Sequence, residues 1–267
     1  MFAFDVEEQY IDFRKRAEEY FFVPTLFRHI NDELGGGVRE GEVGYVLADS
    51  GKGKSTFFNC SLLKAGEYLR DKYPDKYAYL FLLEMDSKTR SEHILRAHYR
   101  ETLGGLLSRG KAMVPRINAV IVDEEEFENS VLGVQRFLEK AERKPGVVYI
   151  DYLDNVDELI AADWKAYKRE VKKLERLAKK FKCPVWTGSQ ASGINDDFDP
   201  EKDLLGGRNI AGAKNKKDSV ALFLSLNPRA DNVLVVNPFK CRRGSGAPFP
   251  AYYDFSRCLI SDLEEGK

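Results

Sequence analysis

The passage that most constrains this chain is Ala48-Asp49-Ser50-Gly51-Lys52-Gly53-Lys54-Ser55-Thr56, set between an apolar run at 43–48 and a helical pattern beginning near 54. A glycine-rich turn that ends a strand and opens a helix gathers consecutive backbone N–H groups around one point, and the helix dipole adds partial positive charge there. That is the pattern of a phosphate-binding loop, with Ala48 in the place of the first glycine. Lys54 would reach the β- and γ-phosphates of a nucleotide, and the Ser55 hydroxyl would ligate Mg²⁺. Ala48, Asp49, Ser50, Gly51, Gly53 and Thr56 complete the cradle. Lys52 also lies in the loop, where a solvated charge is its plainer use. A chance Gly-Lys-Ser in a surface turn has no need of a strand-to-helix junction, and this one sits at such a junction.

Beyond the loop, apolar runs at 77–83, 118–122, 147–151 and 184–188 alternate with helical stretches near 54–70, 87–103, 129–142 and 163–181. Continuous apolar strands separated by helices of this length predict βαβ units and a parallel sheet covered on both faces. After about residue 218 the helices stop, and 220–226, 233–239 and 250–255 read as successive strands extending that sheet in antiparallel fashion. The segment 191–218 has no apolar periodicity, and loops of that length are usually functional. At the start, Tyr10, Phe13, Ala17, Tyr20 and Phe21 recur at helical spacing over 7–21, up to Pro24. That amphipathic helix packs either on its own core or, as an arm, on a neighbouring subunit. The expected division is an arm at 1–23 and one α/β domain at 24–267.

Composition narrows the class. With 267 residues, 43% hydrophobic and 32% charged, the chain reads as globular and can bury a sizeable core. No run of about 18 apolar residues predicts a membrane span, and the opening MFAFDVEEQY lacks the parts of a secretory signal. Cys60, Cys183, Cys241 and Cys258 have no zinc-type spacing and read as thiols in a reducing cytoplasm. A balance of 42 basic against 43 acidic residues excludes a histone-like binder but not a nucleic-acid motor with its cations in one channel.

Four further positions carry chemistry. Asp151 closes the run 147–151, where an acid can hold Mg²⁺ directly or through water, or simply cap a turn; Asp154, on the next turn, is the lesser candidate. Glu84 follows the run 77–83, on the edge where such sheets bind ligands, and is the candidate general base for the attacking water. Gln190 ends the run after 184; its amide can feel a γ-phosphate and relay that state to the next loop, or satisfy a buried backbone group. Lys240 and Arg242 alternate on a strand and so share a face. From there they could reach a neighbouring subunit's γ-phosphate, or form an ordinary solvated basic edge.

Taken in order, Ile30-Asn31-Asp32-Glu33-Leu34-Gly35-Gly36-Gly37, the phosphate loop, Leu83-Glu84-Met85, Ile150-Asp151-Tyr152-Leu153, Ser189-Gln190 and Lys240-Cys241-Arg242 resemble the RecA-like motor domain of DnaB-type replicative helicases. The style is closest to the helicase half of phage primase-helicases, and the resemblance runs over about 24–260. It implies an α/β RecA-like P-loop NTPase fold, with ATP or another NTP and Mg²⁺ as cofactors. It further implies a homo-oligomer, a hexameric ring, that moves 5′ to 3′ on single-stranded DNA in replication, in the cytoplasm of a phage-infected host. Glu84 then matches the catalytic glutamate, Gln190 the phosphate sensor, and Arg242 the trans-acting finger with Lys240 beside it. Phe255 falls near the aromatic residue that stacks on the nucleobase, or else is a core aromatic. The helix at 7–21 resembles the linker that packs on the adjacent subunit. Arg208, Asn209, Ala211, Gly212, Lys214, Lys216 and Lys217 resemble the central-channel loop that contacts DNA, where small residues expose backbone amides and lysines add charge; a solvated charge run is the plain alternative. Departing from the phage pattern, Ser192, Asn195, Asp196, Asp197 and Asp199 stand where a lysine-rich loop is expected. No primase or collar segment accompanies the motor motifs, so a separate primase, polymerase or loader is the expected partner. Two rivals share the motifs: a RecA-type recombinase filament, and a low-turnover, nucleotide-gated DNA-binding or helicase-loading module.

Overall fold

In a computed structural model, the chain is described over residues 20–83, 85–108, 115–155, 164–192, 194, 198–210 and 220–264. The helix expected over 7–21 lies outside these residues except for its last two positions. Strands β1 (Phe22–Val23) and β2 (Val38–Arg39) form a small antiparallel ladder. The main sheet holds β3 (Val43–Ala48), β4 (Lys76–Leu82), β5 (Ala119–Val122), β6 (Lys144–Asp151), β7 (Val185–Gln190), β8 (Leu222–Pro228), β9 (Val233–Cys241), β10 (Phe249–Asp254) and β11 (Leu259–Asp262). Their spatial order is β11-β10-β9-β8-β3-β7-β6-β4-β5. From β8 to β5 every neighbouring pair is parallel, while β9, β10 and β11 add on antiparallel at one edge. This is the mixed sheet read from the apolar runs.

The helices are α1 (Arg28–Leu34), α2 (Lys54–Lys72), α3 (Ser87–Tyr99), α4 (Leu103–Ser108), α5 (Val131–Lys140) and α6 (Trp164–Phe181). None is long and apolar enough to cross a membrane among the described residues. The single helix expected over 87–103 is two: Arg100 adopts a left-handed conformation (φ 55°), and its N–H caps the carbonyls of Arg96 and Ala97. At the start of α5 the Ser130 hydroxyl accepts the Gly133 N–H at 2.8 Å.

Both sheet faces are covered, which is why the central strands carry no polar alternation. Gly44, Trp186 and Tyr149 lie side by side on adjacent strands. They face α2, where Phe57 meets Trp186 and Phe58 meets Tyr149 at ring distances of 5.7 and 6.1 Å. A Cβ at Gly44 would come within 2.6 Å of the Trp186 ring, so only glycine permits this close pass. Tyr45 points to the opposite face, toward Tyr167 and Glu170 of α6, and burial pushes its phenol well above the usual value. All four cysteines are free thiols, and burial pushes Cys60 and Cys183 up to about 12.

Candidate nucleotide site at the carboxyl end of the sheet

Parallel strands bring their carboxyl ends to one edge, where such sheets bind ligands. Ala48 lies beside Gln190, and Leu82 beside Asp151, so the phosphate loop, the strand-end acid and the candidate sensor share that edge. The loop runs from Ala48 to the start of α2. Gly51 and Gly53 take positive φ (66° and 95°), as an inward-turned backbone requires. Lys54 is buried, and its ammonium donates to the carbonyls of Ala48 at 3.2 Å and Asp49 at 3.3 Å, folding the side chain back along the loop.

A cleft of about 370 Å³ opens on the loop and is lined by Ser50, Gly51, Gly53, Lys54, Ser55 and Thr56. Its far walls bring Gln190 of β7 and Tyr152 from beyond β6 together with Met85, His93 and Arg96 from in and before α3. Phe255 closes one side. It lies not on a strand, as the run 250–255 suggested, but on the short turn Phe255–Arg257, because the Asp254 carboxylate accepts the Ser256 N–H and ends β10. A Cβ on Gly53 would stand 2.9 Å from the Phe255 ring, so this aromatic touches the loop. Lys52 and Asp49 lie outside this cleft and border a second one, of about 290 Å³, with Phe198, Leu205 and Arg229.

Asp151 is fully buried. Its Oδ2 accepts from Arg90 Nη2 at 2.5 Å, and its Oδ1 has no hydrogen-bond partner. A buried carboxylate oxygen left unpaired is costly unless something positive meets it. With the Ser55 hydroxyl, that oxygen suits a hard cation that keeps most of its ligands as water and phosphate. Asp154 does different work: its Oδ2 accepts from the Ser189 hydroxyl at 2.8 Å and the Gln190 N–H at 3.0 Å, tying the turn after β6 to the end of β7.

Tyr152, Arg90, His93 and Arg96 were not picked out by motif. The Tyr152 hydroxyl lies 3.5 Å from Gln190 Oε1 and its ring 5.3 Å from the Lys54 ammonium, a bridge between sensor and loop. The signal that existed for Arg90 was its position on the buried stripe Arg90, Ile94, Ala97 of α3, where a cation demands a partner.

The remaining candidates lie elsewhere. Arg242 donates its N–H to Ala221, and Ala221 donates to Val43, so Arg242 is level with the first residue of β3 while the phosphate loop leaves from the last. That separation is about 17 Å along the strand. Lys240 pairs with Phe223, deeper along the same edge. Arg243 is anchored within the chain: its guanidinium donates to the carbonyls of Leu34 and Gly37 and to Glu42, fixing the glycine turn before β2. Arg208 is exposed, whereas Asn209 Oδ1 accepts the Gly206 N–H within a turn. That turn meets the sensor strand: Ala191 bridges Ile210, and Ser192 N–H donates to Asn209. Glu84, Ala211, Gly212, Lys214, Lys216 and Lys217 lie outside the described residues, as do Asn195, Asp196 and Asp197 of the acidic stretch.

No family model matches the sequence, and no curated protein matches it. Solved structures do. The ATPase domain of a helicase superposes with a TM-score of 0.72 at 15% identity, over 98% of this chain and 100% of that one. A DnaB-like replicative helicase, whose structure was described with its interactions with primase, superposes at 0.69 and 16% identity, over 96% of this chain and 68% of that one. At such identities the likeness is one of fold, and that fold is the RecA-like ATPase domain of DnaB-type helicases.

Proposed function

We infer that the chain is a nucleotide-hydrolysing motor of the DnaB type, working as a ring that moves 5′ to 3′ on single-stranded DNA. The observation that carries this is the convergence, at one sheet edge, of a phosphate loop, a buried carboxylate with an unpaired oxygen, a strand-end glutamine and an aromatic wall. Lys54 and the loop N–H groups bind the triphosphate, and Phe255 offers a face to the base. Ser55 and Asp151 would hold Mg²⁺, which neutralises phosphate charge when bound. Glu84 takes a proton from the attacking water. Gln190 registers the γ-phosphate, and the bridge from Ala191 to Ile210 passes its movement to the segment that begins at Arg208 and continues to the lysines at 214–217. Arg242 stands at the other end of β3 from its own loop, so it serves the site of the next copy, with Lys240 beside it. Residues 1–23 act as the arm between subunits, and a primase, polymerase or loader is the fitting separate partner.

The test is ATP hydrolysis with and without single-stranded DNA, for the parent and Lys54→Ala. Turnover that DNA stimulates and the substitution abolishes is expected. Negligible turnover at concentrations where the protein assembles would overturn the motor reading in favour of a nucleotide-gated binding module.

A further inference from the structure

Arg90 is among the largest fully buried side chains, yet it is a cation in a helix whose neighbouring buried positions, Ile94 and Ala97, are apolar. Its guanidinium is spread over two elements of the candidate site. Nη2 donates to Asp151 Oδ2 at 2.5 Å at the end of β6. Nη1 donates to the Ser55 carbonyl at 3.3 Å and to Asn59 Oδ1 at 3.1 Å, both on the opening turns of α2. One planar group therefore joins the residue that offers a hydroxyl to a cation and the residue that offers a carboxylate.

Stability alone is a poor reason for such an arrangement. Replacing a buried ion pair by apolar groups of similar volume is often neutral or stabilising, so a retained pair calls for another use. Arginine rather than lysine also has a reason here, because its rigid fork meets several acceptors at fixed angles. Of the two Asp151 oxygens, the one Arg90 holds is taken and the other is unpaired.

We propose that Arg90 is the positioning residue of the metal site: it locks Asp151 Oδ2 to the first turn of α2, so that Oδ1 and the Ser55 hydroxyl address one cation. The proposal rests on the nucleotide reading above and adds to it a residue that touches neither nucleotide nor metal. Groups that orient a metal ligand typically change metal affinity by about 10- to 100-fold when replaced.

The experiment uses the full chain and Mn²⁺ as the paramagnetic stand-in for Mg²⁺, read by electron paramagnetic resonance in the presence of ADP. Fluorescent-ADP binding in EDTA is the metal-free control, and a thermal melt reports folding. Arg90→Lys keeps the charge but cannot span all three acceptors; it is expected to weaken Mn²⁺ binding by about 10-fold or more while metal-free ADP binding stays near the parent's. Asn59→Ala leaves the ion pair intact and removes one anchor of the fork. It is expected to shift Mn²⁺ affinity in the same direction, and it decides the matter should Arg90→Lys fail to fold. Unchanged Mn²⁺ affinity in the folded variants would overturn the proposal, as would an equal loss of metal-free ADP binding, which would mean that Arg90 shapes the phosphate loop instead. A parent that binds neither ADP nor Mn²⁺–ADP would overturn the nucleotide reading itself, an outcome distinct from the other two.

Discussion

His93 and Arg96 line the cleft from the same helix, and their closeness sets how the imidazole titrates. Burial, reinforced by the Arg96 guanidinium, holds His93 below its usual value of 6.5. With a folded value lower than the unfolded one, the stability His93 contributes is fully present above about 6.5 and is lost as pH falls through the folded value, because the unfolded chain takes up the proton first. Chemical denaturation midpoints should therefore fall between pH 7 and 5.5 more steeply for the parent than for His93→Gln. Identical slopes would show that this imidazole is not held neutral by the fold. The motifs made Lys54, Ser55, Asp151 and Gln190 visible because each is a chemical type demanded at a strand or loop end. Arg90, His93 and Arg96 sit inside an amphipathic helix, where a charged residue ordinarily means a solvated face, and only the packing reveals otherwise.

Among elements, the long ones were legible and the short ones were not. The strand 43–48 stands where the apolar run put it, and α2 and α6 match their periodic stretches within two residues. By contrast β1 and β2 span two residues each, and α1 seven, too short for a repeat of side-chain pattern to declare itself. β11 follows a 3₁₀ turn whose cap, Asp254, also moved Phe255 off the strand predicted for it. The division of 87–103 into α3 and α4 turns on a non-glycine residue, Arg100, in a left-handed cap, a conformation its identity does not announce. Caps that use side chains carry measurable energy. The Ser130 hydroxyl satisfies an otherwise orphan N–H at the start of α5, so Ser130→Ala should cost about 1 kcal/mol in urea denaturation. A loss below a few tenths would mean that water replaces the hydroxyl without penalty.

For the whole molecule, the decisive relation is between the two ends of β3. The phosphate loop leaves its carboxyl end, while Arg242 lies level with Val43 at its amino end. One chain thus carries both halves of a composite site but cannot close them on each other, whereas a head-to-tail array of copies can, as rings require. The near-neutral balance of 42 basic and 43 acidic residues fits a chain whose cations work locally, at interfaces and along a channel, and not through overall charge. The most direct test of shared sites is DNA-stimulated ATP hydrolysis by Glu84→Gln, by Arg242→Ala, and by the two mixed. Each variant alone is expected to be nearly inactive. Mixed oligomers form some interfaces in which an intact Glu84 meets an intact Arg242, so activity should return on mixing. Two inactive variants that stay inactive when co-assembled would contradict the shared-site account.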